Sequence, residues 1–339
     1  MSNAFTIIIP DFIEPDDTAA EHEILADIGS VVALNAYSEA ELAGRIEAAD
    51  AIMLYHSLSL TPTTIDTLSR CKLIVRCGVG YDNVDIAAAG RRGIPVANVP
   101  DYGSEEVADS AIGMALSLAR GIHTLNSTIR AGIGPYSFSQ AAPLQRLRGK
   151  VFGIIGLGRI GTATALRAKA FGMDVAFYDP FRPDGTDKAI GCRRVESLEE
   201  LLAQSHIVSL HCPLTEATQH MMNRDTIALM PRGSYLVNTS RGAVVDTAAL
   251  PEALASGQLA GAAIDVLVQE PPPADHPLLA AWRDPAHAAH HRLILNPHSA
   301  FYSEQGMMDM RVKGATACRR ALLGQPIRNI VNQAALDAR

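Results

Sequence analysis

The sequence predicts an α/β protein built from two doubly wound parallel sheets. Three observations carry this. Short apolar runs alternate with amphipathic stretches along nearly the whole chain. A first set of such runs is complete by about residue 100, and a glycine-rich turn in mid-chain opens a second set. The 339 residues suffice for two domains, each with its own buried core.

In the first set, Phe5–Ile9 and segments 31–34, 51–55, 73–77 and 95–99 read as strands. Amphipathic segments 18–28, 39–48, 62–69 and 86–92 read as the helices between them. Strands joined by helical crossovers make a doubly wound unit of the flavodoxin-like kind. A long helix is predicted over 105–121, with Ser104 as its N-cap, followed by a weakly periodic segment 132–149. The second set has strands at Val151–Ile155, 175–178, Ile207–Leu210, 235–238, 262–266 and Leu293–Leu295. A last helix over 303–323 stops at Gly324, with Pro326 just beyond.

Composition narrows the function classes. Hydrophobic residues make up 48% and charged residues 19%, a globular balance. The net charge of -7 leaves no basic excess for phosphate backbones, so direct nucleic-acid binding is not expected. No apolar run is long enough to cross a bilayer, so no membrane role is expected. The opening MSNAFTIIIPDF lacks a basic region and reads as a first strand, not a signal peptide. The five cysteines are odd in number and form no CxxC pair, which suits reduced thiols in a cytoplasmic protein.

The second set opens on Gly156-Leu157-Gly158-Arg159-Ile160-Gly161, a G-x-G-x-x-G run. Alone this is a weak signal. Here a buried strand leads in, an amphipathic helix over 160–171 leads out, and the next strand ends at Asp179. That is the context of a Rossmann dinucleotide fold. Gly156 permits the tight turn, Gly158 a close approach to pyrophosphate, and Gly161 close packing of helix on strand. The helix N-terminus favours an anion. Asp179 suits the ribose hydroxyls and repels a 2′-phosphate, so NAD (NADH) is expected and NADP is disfavoured, although Arg182 can blunt that preference. Since the fingerprint lies in mid-chain, the layout expected is a discontinuous first domain, 1–102 plus 300–339, and a Rossmann NAD domain over 103–299.

Three strand ends of the second set carry polar residues: Arg241 in NTSRG, Asp265 and Glu270 in AIDVLVQEPP, and His298 in LILNPHSA. Ligands of such sheets bind at the carboxyl ends of the strands. Arg241 can anchor a carboxylate through its planar fork and polarise the adjoining carbonyl. His298 can give a proton to a new hydroxyl and take it back in reverse. Glu270 at the far ring nitrogen would hold the imidazole and favour its charged form. Asp265 would meet the nicotinamide side of the cofactor. Singly, an arginine after a strand is usually solvated or ion-paired, and a histidine before serine is usually a turn residue. Their joint placement on one NAD-type sheet favours hydride chemistry on a small 2-keto or 2-hydroxy acid.

These residues resemble the D-isomer-specific 2-hydroxyacid dehydrogenase family, most closely its C-terminal-binding-protein-like branch. The resemblance rests on RCGVGYDNVDIAAAGRRGIPVANVP, EEVADS, GIIGLGRIG, RAKAFGMDVAFYDP, HCPLTEAT, LVNTSRGAVVD, AAIDVLVQEPP and PHSAFYSE, in that order. It implies two domains around a cleft, Arg241 as substrate anchor, and Glu270 with His298 as the acid–base pair. It further implies substrate contacts from the backbone N–H groups of Val79 and Gly80, flanked by glycine that lets backbone come close. Along the cofactor it places the 212–218 loop, with Cys212, Pro213 and Thr218, and also Thr239. It implies a homodimer through the NAD domain, by way of the long helix.

Three departures bear on these expectations. Glu270 and His298 lie 28 residues apart, a long interval filled by DHPLLAAWRDPAHAAHHRL. His287, His290 and His291 in it have no cysteine or HExxH frame beside them, so a solvated loop is expected and no metal. Beside the acid–base pair such an insertion can form a lid or restrict substrate size. Phe301 follows HSA where the branch resembles HAAW, which keeps an aromatic wall for the substrate but not the indole. Gly103 stands where the branch has serine. The alternative function is an NAD-responsive, corepressor-like binding module with little turnover, for which an intact acid–base pair would be superfluous.

Overall fold

The computed structural model describes residues 5–338; residues 1–4 and 339, assigned above to the first domain, lie outside the described residues. The chain divides into two compact units: one up to Gly103 together with the stretch from Ser303 onward, the other from Ser104 to Tyr302.

The first unit holds β1 (Phe5–Ile9), β2 (Gly29–Ala33), β3 (Ala51–Leu54), β4 (Ile74–Arg76) and β5 (Val96–Asn98). They form one parallel sheet in the order β2-β1-β3-β4-β5, the flavodoxin-like winding. Successive side chains point to opposite faces, so Ile7 and Ile9 enter one core while Ile8 enters the other. The first core is closed by the helix Glu304–Leu322, through Met310, Ala315 and Cys318. Ser303 caps this helix by accepting from the Gly306 N–H at 2.8 Å, and Gly324 at φ +68° follows its end. Arg311 on its buried side reaches Glu21 at 2.7 Å and Asp17 at 3.1 Å, tying it to the helix Ala19–Leu25.

The helix expected over 39–48 is only a 3-10 turn, Glu39–Leu42. Gly44 takes φ +78° and its N–H goes to Glu47, while Glu39 accepts from Thr61. A left-handed glycine, and acids whose side chains bond backbone N–H groups, end a helix before its second turn.

The second unit holds β6 (Val151–Ile155), β7 (Asp174–Tyr178), β8 (Arg193–Arg194), β9 (Ile207–Leu210), β10 (Ser234–Asn238), β11 (Leu259–Ile264) and β12 (Leu293–Leu295). The order β12-β11-β10-β9-β6-β7-β8, all parallel, is the Rossmann winding with one added strand. The edge strand β8 is two arginines with no apolar alternation, which is why the sequence did not disclose it. The helix Ser104–Ala119 buries Val107, Ala108, Ala111, Ile112, Ala115 and Leu118, spaced three and four apart, on one face of this sheet. Ser104 is its first residue and not its cap, and the Ser104 hydroxyl has no hydrogen-bond partner among the described residues. Gly121 at φ +67° then turns the chain into a second helix, Ile122–Arg130, with no fully buried side chain.

The insertion before β12 is not the solvated loop expected. It folds into two short helices, Pro277–Arg283 and Ala289–Arg292, and Leu278 and Ala289 join the core. His276 caps the first by accepting from the Leu278 N–H, with Pro277 in the first turn. Its histidines are all engaged: His290 bonds the Trp282 carbonyl at 2.9 Å and His287 the Ala289 N–H at 3.0 Å within the insertion, while His291 reaches Ser127 of the helix Ile122–Arg130 at 3.3 Å. Among the described residues, no helix is long and apolar enough to cross a membrane.

Candidate active site

The glycine turn follows β6. Gly156 sits at φ +88°, and a Cβ there would lie 2.7 Å from the Cys212 backbone nitrogen. A Cβ on Gly161 would lie 2.1 Å from the Gly156 carbonyl oxygen, so only glycine lets the helix Arg159–Ala170 seat against the turn. Gly158 is the N-cap of that helix and faces open space, with Arg159 and Ile160 forming the first turn. The end of a twelve-residue helix with unpaired N–H groups there favours an anion.

Asp179 follows β7. Its carboxylate accepts from Leu157 N–H at 2.8 Å and Phe181 N–H at 3.0 Å, and Arg182 lies 3.3 Å away. The acid therefore also ties the strand end to the glycine turn. Across the sheet, Thr218 Oγ1 donates to the Pro213 carbonyl at 2.7 Å and accepts from Thr215 N–H, closing the loop after buried Cys212. Thr239, just past β10, is buried, and its hydroxyl finds no partner among the described residues. A buried hydroxyl left unpaired costs on the order of 1–3 kcal/mol, which a polar ligand group at this edge would relieve. The open Gly158 cradle, the helix end, Asp179 and the orphaned Thr239 hydroxyl fit a dinucleotide.

Sheet register brings the chemical groups together. Asn238 pairs with Ile264, and Ile264 with Leu295, so Arg241, Asp265 and His298 leave the same edge of three adjacent strands. His298 Nδ1 lies 2.6 Å from Glu270 Oε2. Glu270 Oε1 accepts from the Leu267 N–H at 2.7 Å, which fixes the carboxylate. An ionised carboxylate only accepts, so Nδ1 carries the hydrogen in this pair. Phe301 meets the His298 ring edge-on, centroids 6.0 Å apart.

Asp265 bears on His298 from behind. It is 2% exposed, and its carboxylate accepts from Ser299 N–H at 2.9 Å and Ala300 N–H at 3.1 Å, while its carbonyl accepts from His298 N–H at 2.7 Å. Burial raises its pKa, against the lowering effect of those N–H donors and of His298. The turn so held carries His298 at φ +51°, a left-handed conformation uncommon outside glycine. Asp265, read from the sequence as a cofactor contact, here directs its carboxylate onto the histidine turn.

Arg241 is half-buried, with Nη1 donating to the Ser240 carbonyl at 2.8 Å. Asn238 Nδ2 donates to the Arg241 carbonyl at 2.9 Å, and its Oδ1 accepts from Ser240. Two residues of this edge were not singled out in the sequence. A Cβ on Gly242 would fall 2.0 Å from the Leu267 carbonyl carbon, so the arginine loop presses on the Leu267–Val268 peptide, next to the Leu267 N–H that holds Glu270. His211, level with Thr239 in the β9–β10 register, is half-buried with its Nδ1 enclosed; burial of the ring pushes its pKa down to about 3. Its Nε2 pairs with Ser209 Oγ at 2.9 Å and its Nδ1 is unpartnered among the described residues. Gly242 lies in LVNTSRGAVVD and His211 opens HCPLTEAT, so both stood inside segments that carry the resemblance without being given a role.

In the first unit, the 78–80 loop follows β4. The Gly78 carbonyl accepts from Val99 N–H at 3.1 Å, and the Val79 carbonyl from Asn98 Nδ2 at 2.6 Å. In a trans peptide the N–H opposes the C=O, so the N–H groups of Val79 and Gly80 point away from β5. Gly78 at φ +148° has the Arg76 guanidinium where a Cβ would go.

Residues 112–300 match a protein family described as D-isomer specific 2-hydroxyacid dehydrogenase, NAD binding domain. The chain is 34% identical over 310 residues to D-3-phosphoglycerate dehydrogenase of Methanocaldococcus jannaschii, a match covering 91% of this chain and 57% of the relative. It is 34% identical over 330 residues to C-terminal-binding protein 1 of Caenorhabditis elegans, covering 94% of this chain and 44% of the relative. The chain thus spans about half the length of these curated relatives. Among solved structures, D-lactate dehydrogenase from Aquifex aeolicus complexed with NAD and lactic acid superimposes with a TM-score of 0.80 at 27% identity, covering 98% of each chain.

Proposed function

The chain belongs to the D-isomer-specific 2-hydroxyacid dehydrogenase family, and from that premise we propose that it interconverts a small 2-keto acid and the D-2-hydroxy acid with NAD(H). The observation that carries the proposal is the 2.6 Å contact between His298 and Glu270 at the strand edge shared with Arg241. A pure binding module needs no such pair.

NADH, when bound, supplies the hydride. Gly156, Gly158 and Gly161, with Arg159 and Ile160 at the helix start, would hold its pyrophosphate. Asp179 would hold the ribose, and Cys212, Pro213, Thr218, Thr239 and Asp265 would line its path toward the reacting end. Arg241 would bind the substrate carboxylate by its fork and polarise the carbonyl. Val79 and Gly80 would offer N–H groups to the carboxylate, and Phe301 an apolar wall. His298 would hold a proton on Nε2 and pass it to the carbonyl oxygen, with Glu270 stabilising the charged ring. The acidic Asp179 supports NADH over NADPH, because a 2′-phosphate would meet a carboxylate already fixed by Leu157 and Phe181.

We read the protein as a homodimer through its second unit. Supporting this, Ile129 and Ile133 are half exposed and Tyr136 and Phe138 almost fully so, just past the long helix. Its five unpaired thiols suit a reducing, cytoplasmic setting.

The test is a panel of glyoxylate, pyruvate and hydroxypyruvate assayed with NADH and NADPH side by side. Turnover with NADH that falls about 100-fold or more in His298→Ala, while NADH still binds, is the expected result. Cofactor binding without turnover on any acid would overturn the proposal.

A further inference from the structure

The strand β5 has β4 on one side, and a later segment of the chain covers its other edge. Ala97 bridges Ile330 in antiparallel sense, the Val331 N–H reaches the Val96 carbonyl at 2.8 Å, and the Asn98 N–H reaches the Asn329 carbonyl at 3.2 Å. Asn332, 2% exposed, pins this segment: its Oδ1 accepts from the Val96 N–H at 2.8 Å and its Nδ2 donates to the Ile94 carbonyl at 3.0 Å. The helix Gln333–Asp337 then packs on the helix Ile86–Arg91, so closely that a Cβ on Gly90 would lie 2.4 Å from the Ala335 Cβ. Backbone bonds alone would cover the edge; the buried asparagine and the glycine contact add a fixed register.

What that register positions is Asn98. Its backbone faces the added segment, while its side-chain Nδ2 donates to the Val79 carbonyl at 2.6 Å. The next residue, Val99, gives its N–H to the Gly78 carbonyl at 3.1 Å. Two successive carbonyls of the 78–80 loop are thus held from β5, one by backbone and one by a side chain. A peptide is planar, so fixing the Val79 carbonyl also fixes the Gly80 N–H opposite it. Glycine leaves that peptide more freedom than any other residue would, so the hold matters most there. A carbonyl only accepts, so the Asn98 amide must present its NH2 end, and a residue without a donor cannot replace it.

We propose that Asn98 is a positioning residue for keto-acid binding: its carboxamide aims the Gly80 N–H at the substrate carboxylate, and the segment 329–332 holds Asn98 in place for this. The proposal rests on the dehydrogenase reading and deepens it. Asn98 acts through the Val79–Gly80 peptide. Without its donor the peptide is free to rotate, and the carboxylate meets an N–H that is aimed only part of the time. The carboxylate does not react, so this hold serves ground state and transition state alike. Binding of the acid then weakens while turnover of bound acid changes little.

The experiment measures KM and kcat for the best acid of the panel above, the inhibition constant of oxamate (an unreactive isostere of pyruvate) and NADH affinity. The variants are Asn98→Leu, which keeps the side-chain size without the donor, Asn98→Gln, which keeps a donor on a longer arm, and Asn332→Ala, which loosens the added segment from a distance. In Asn98→Leu, KM and the oxamate constant are expected to rise about tenfold, with kcat within about threefold and NADH affinity unchanged. Asn98→Gln should recover part of the loss, and Asn332→Ala should raise the same two constants by a smaller factor. Both constants unmoved in Asn98→Leu, or a fall in kcat without a rise in either, would overturn the assignment. If Asn98→Leu does not fold, Asn332→Ala decides: a lowered melting temperature with both constants unmoved overturns the proposal. Turnover of no acid in the panel by the unsubstituted protein would instead overturn the dehydrogenase reading itself.

Discussion

Gly242→Ala tests whether the arginine loop and the acid–base pair form one mechanical unit. The new Cβ would stand 2.0 Å from the Leu267 carbonyl carbon and 2.4 Å from the Val268 nitrogen, where ordinary contact begins at 3.4 Å. Backbone must therefore give way by roughly 1.4 Å, since no flexible side-chain end is there to move. The Leu267 N–H holds Glu270 Oε1, and Glu270 Oε2 holds His298, so the shift passes to the imidazole. Misplacing a catalytic group by about 1 Å costs on the order of 100-fold in rate. Overpacking of this kind also costs about 1–3 kcal/mol of stability. We expect kcat for the best keto acid to fall about 100-fold, with a lower melting temperature and NADH affinity changed much less. Steady-state kinetics, NADH fluorescence titration and a thermal scan measure the three. A kcat within threefold of the unsubstituted protein would refute the coupling and leave Gly242 a plain turn residue.

Two further predictions follow from single contacts. Asp179→Ser removes the carboxylate facing a 2′-phosphate and keeps a small acceptor for the Leu157 N–H; the NADPH/NADH ratio of kcat/KM should rise about tenfold or more, and an unmoved ratio would put cofactor choice elsewhere. The second concerns acid stability: folding holds His211 neutral, with its pKa pushed from 6.5 down to about 3 by burial, while the unfolded chain takes up the proton below 6.5. The stability from this group is complete above pH 6.5 and is lost as pH falls toward 3, amounting to about 2 kcal/mol by pH 5. His211→Gln should flatten that acid limb in urea titrations at pH 7 and pH 5. An unchanged slope would mean that other histidines lowered by burial, His123, His206 and His291, account for it.

Local pattern and tertiary context contributed differently to what could be read in advance. The unbroken apolar run of segments such as Ile7-Ile8-Ile9 follows from burial on both faces of a sheet, so the strands and their parallel winding were legible. The glycine turn was legible because φ beyond zero and a missing Cβ are properties of one residue type. Arg241, Glu270 and His298 could be named from their strand ends, and their side-chain types state the chemistry they can do. The helix expected over 39–48 failed because Gly44 turns left-handed with its N–H on the Glu47 side chain, and Glu39 is taken by Thr61 outside the span. The insertion after Glu270 looked solvated because Asp, Arg, Pro and His interrupt its apolar residues; Leu278 and Ala289 are nonetheless buried.

By itself, then, the sequence determined the fold class, the position of the dinucleotide turn and the identity of the polar strand-end residues, since each depends on neighbours within a few positions. Only the tertiary structure decided that Asp265 grips the histidine turn, that Gly242 abuts the Leu267–Val268 peptide, and that Asp11 and Asn83 clasp one loop from opposite flanks. Those contacts join backbone groups on separate strands. A backbone N–H or carbonyl is the same in every residue but proline, so no pattern of side chains along the chain reveals which one a distant carboxylate will find.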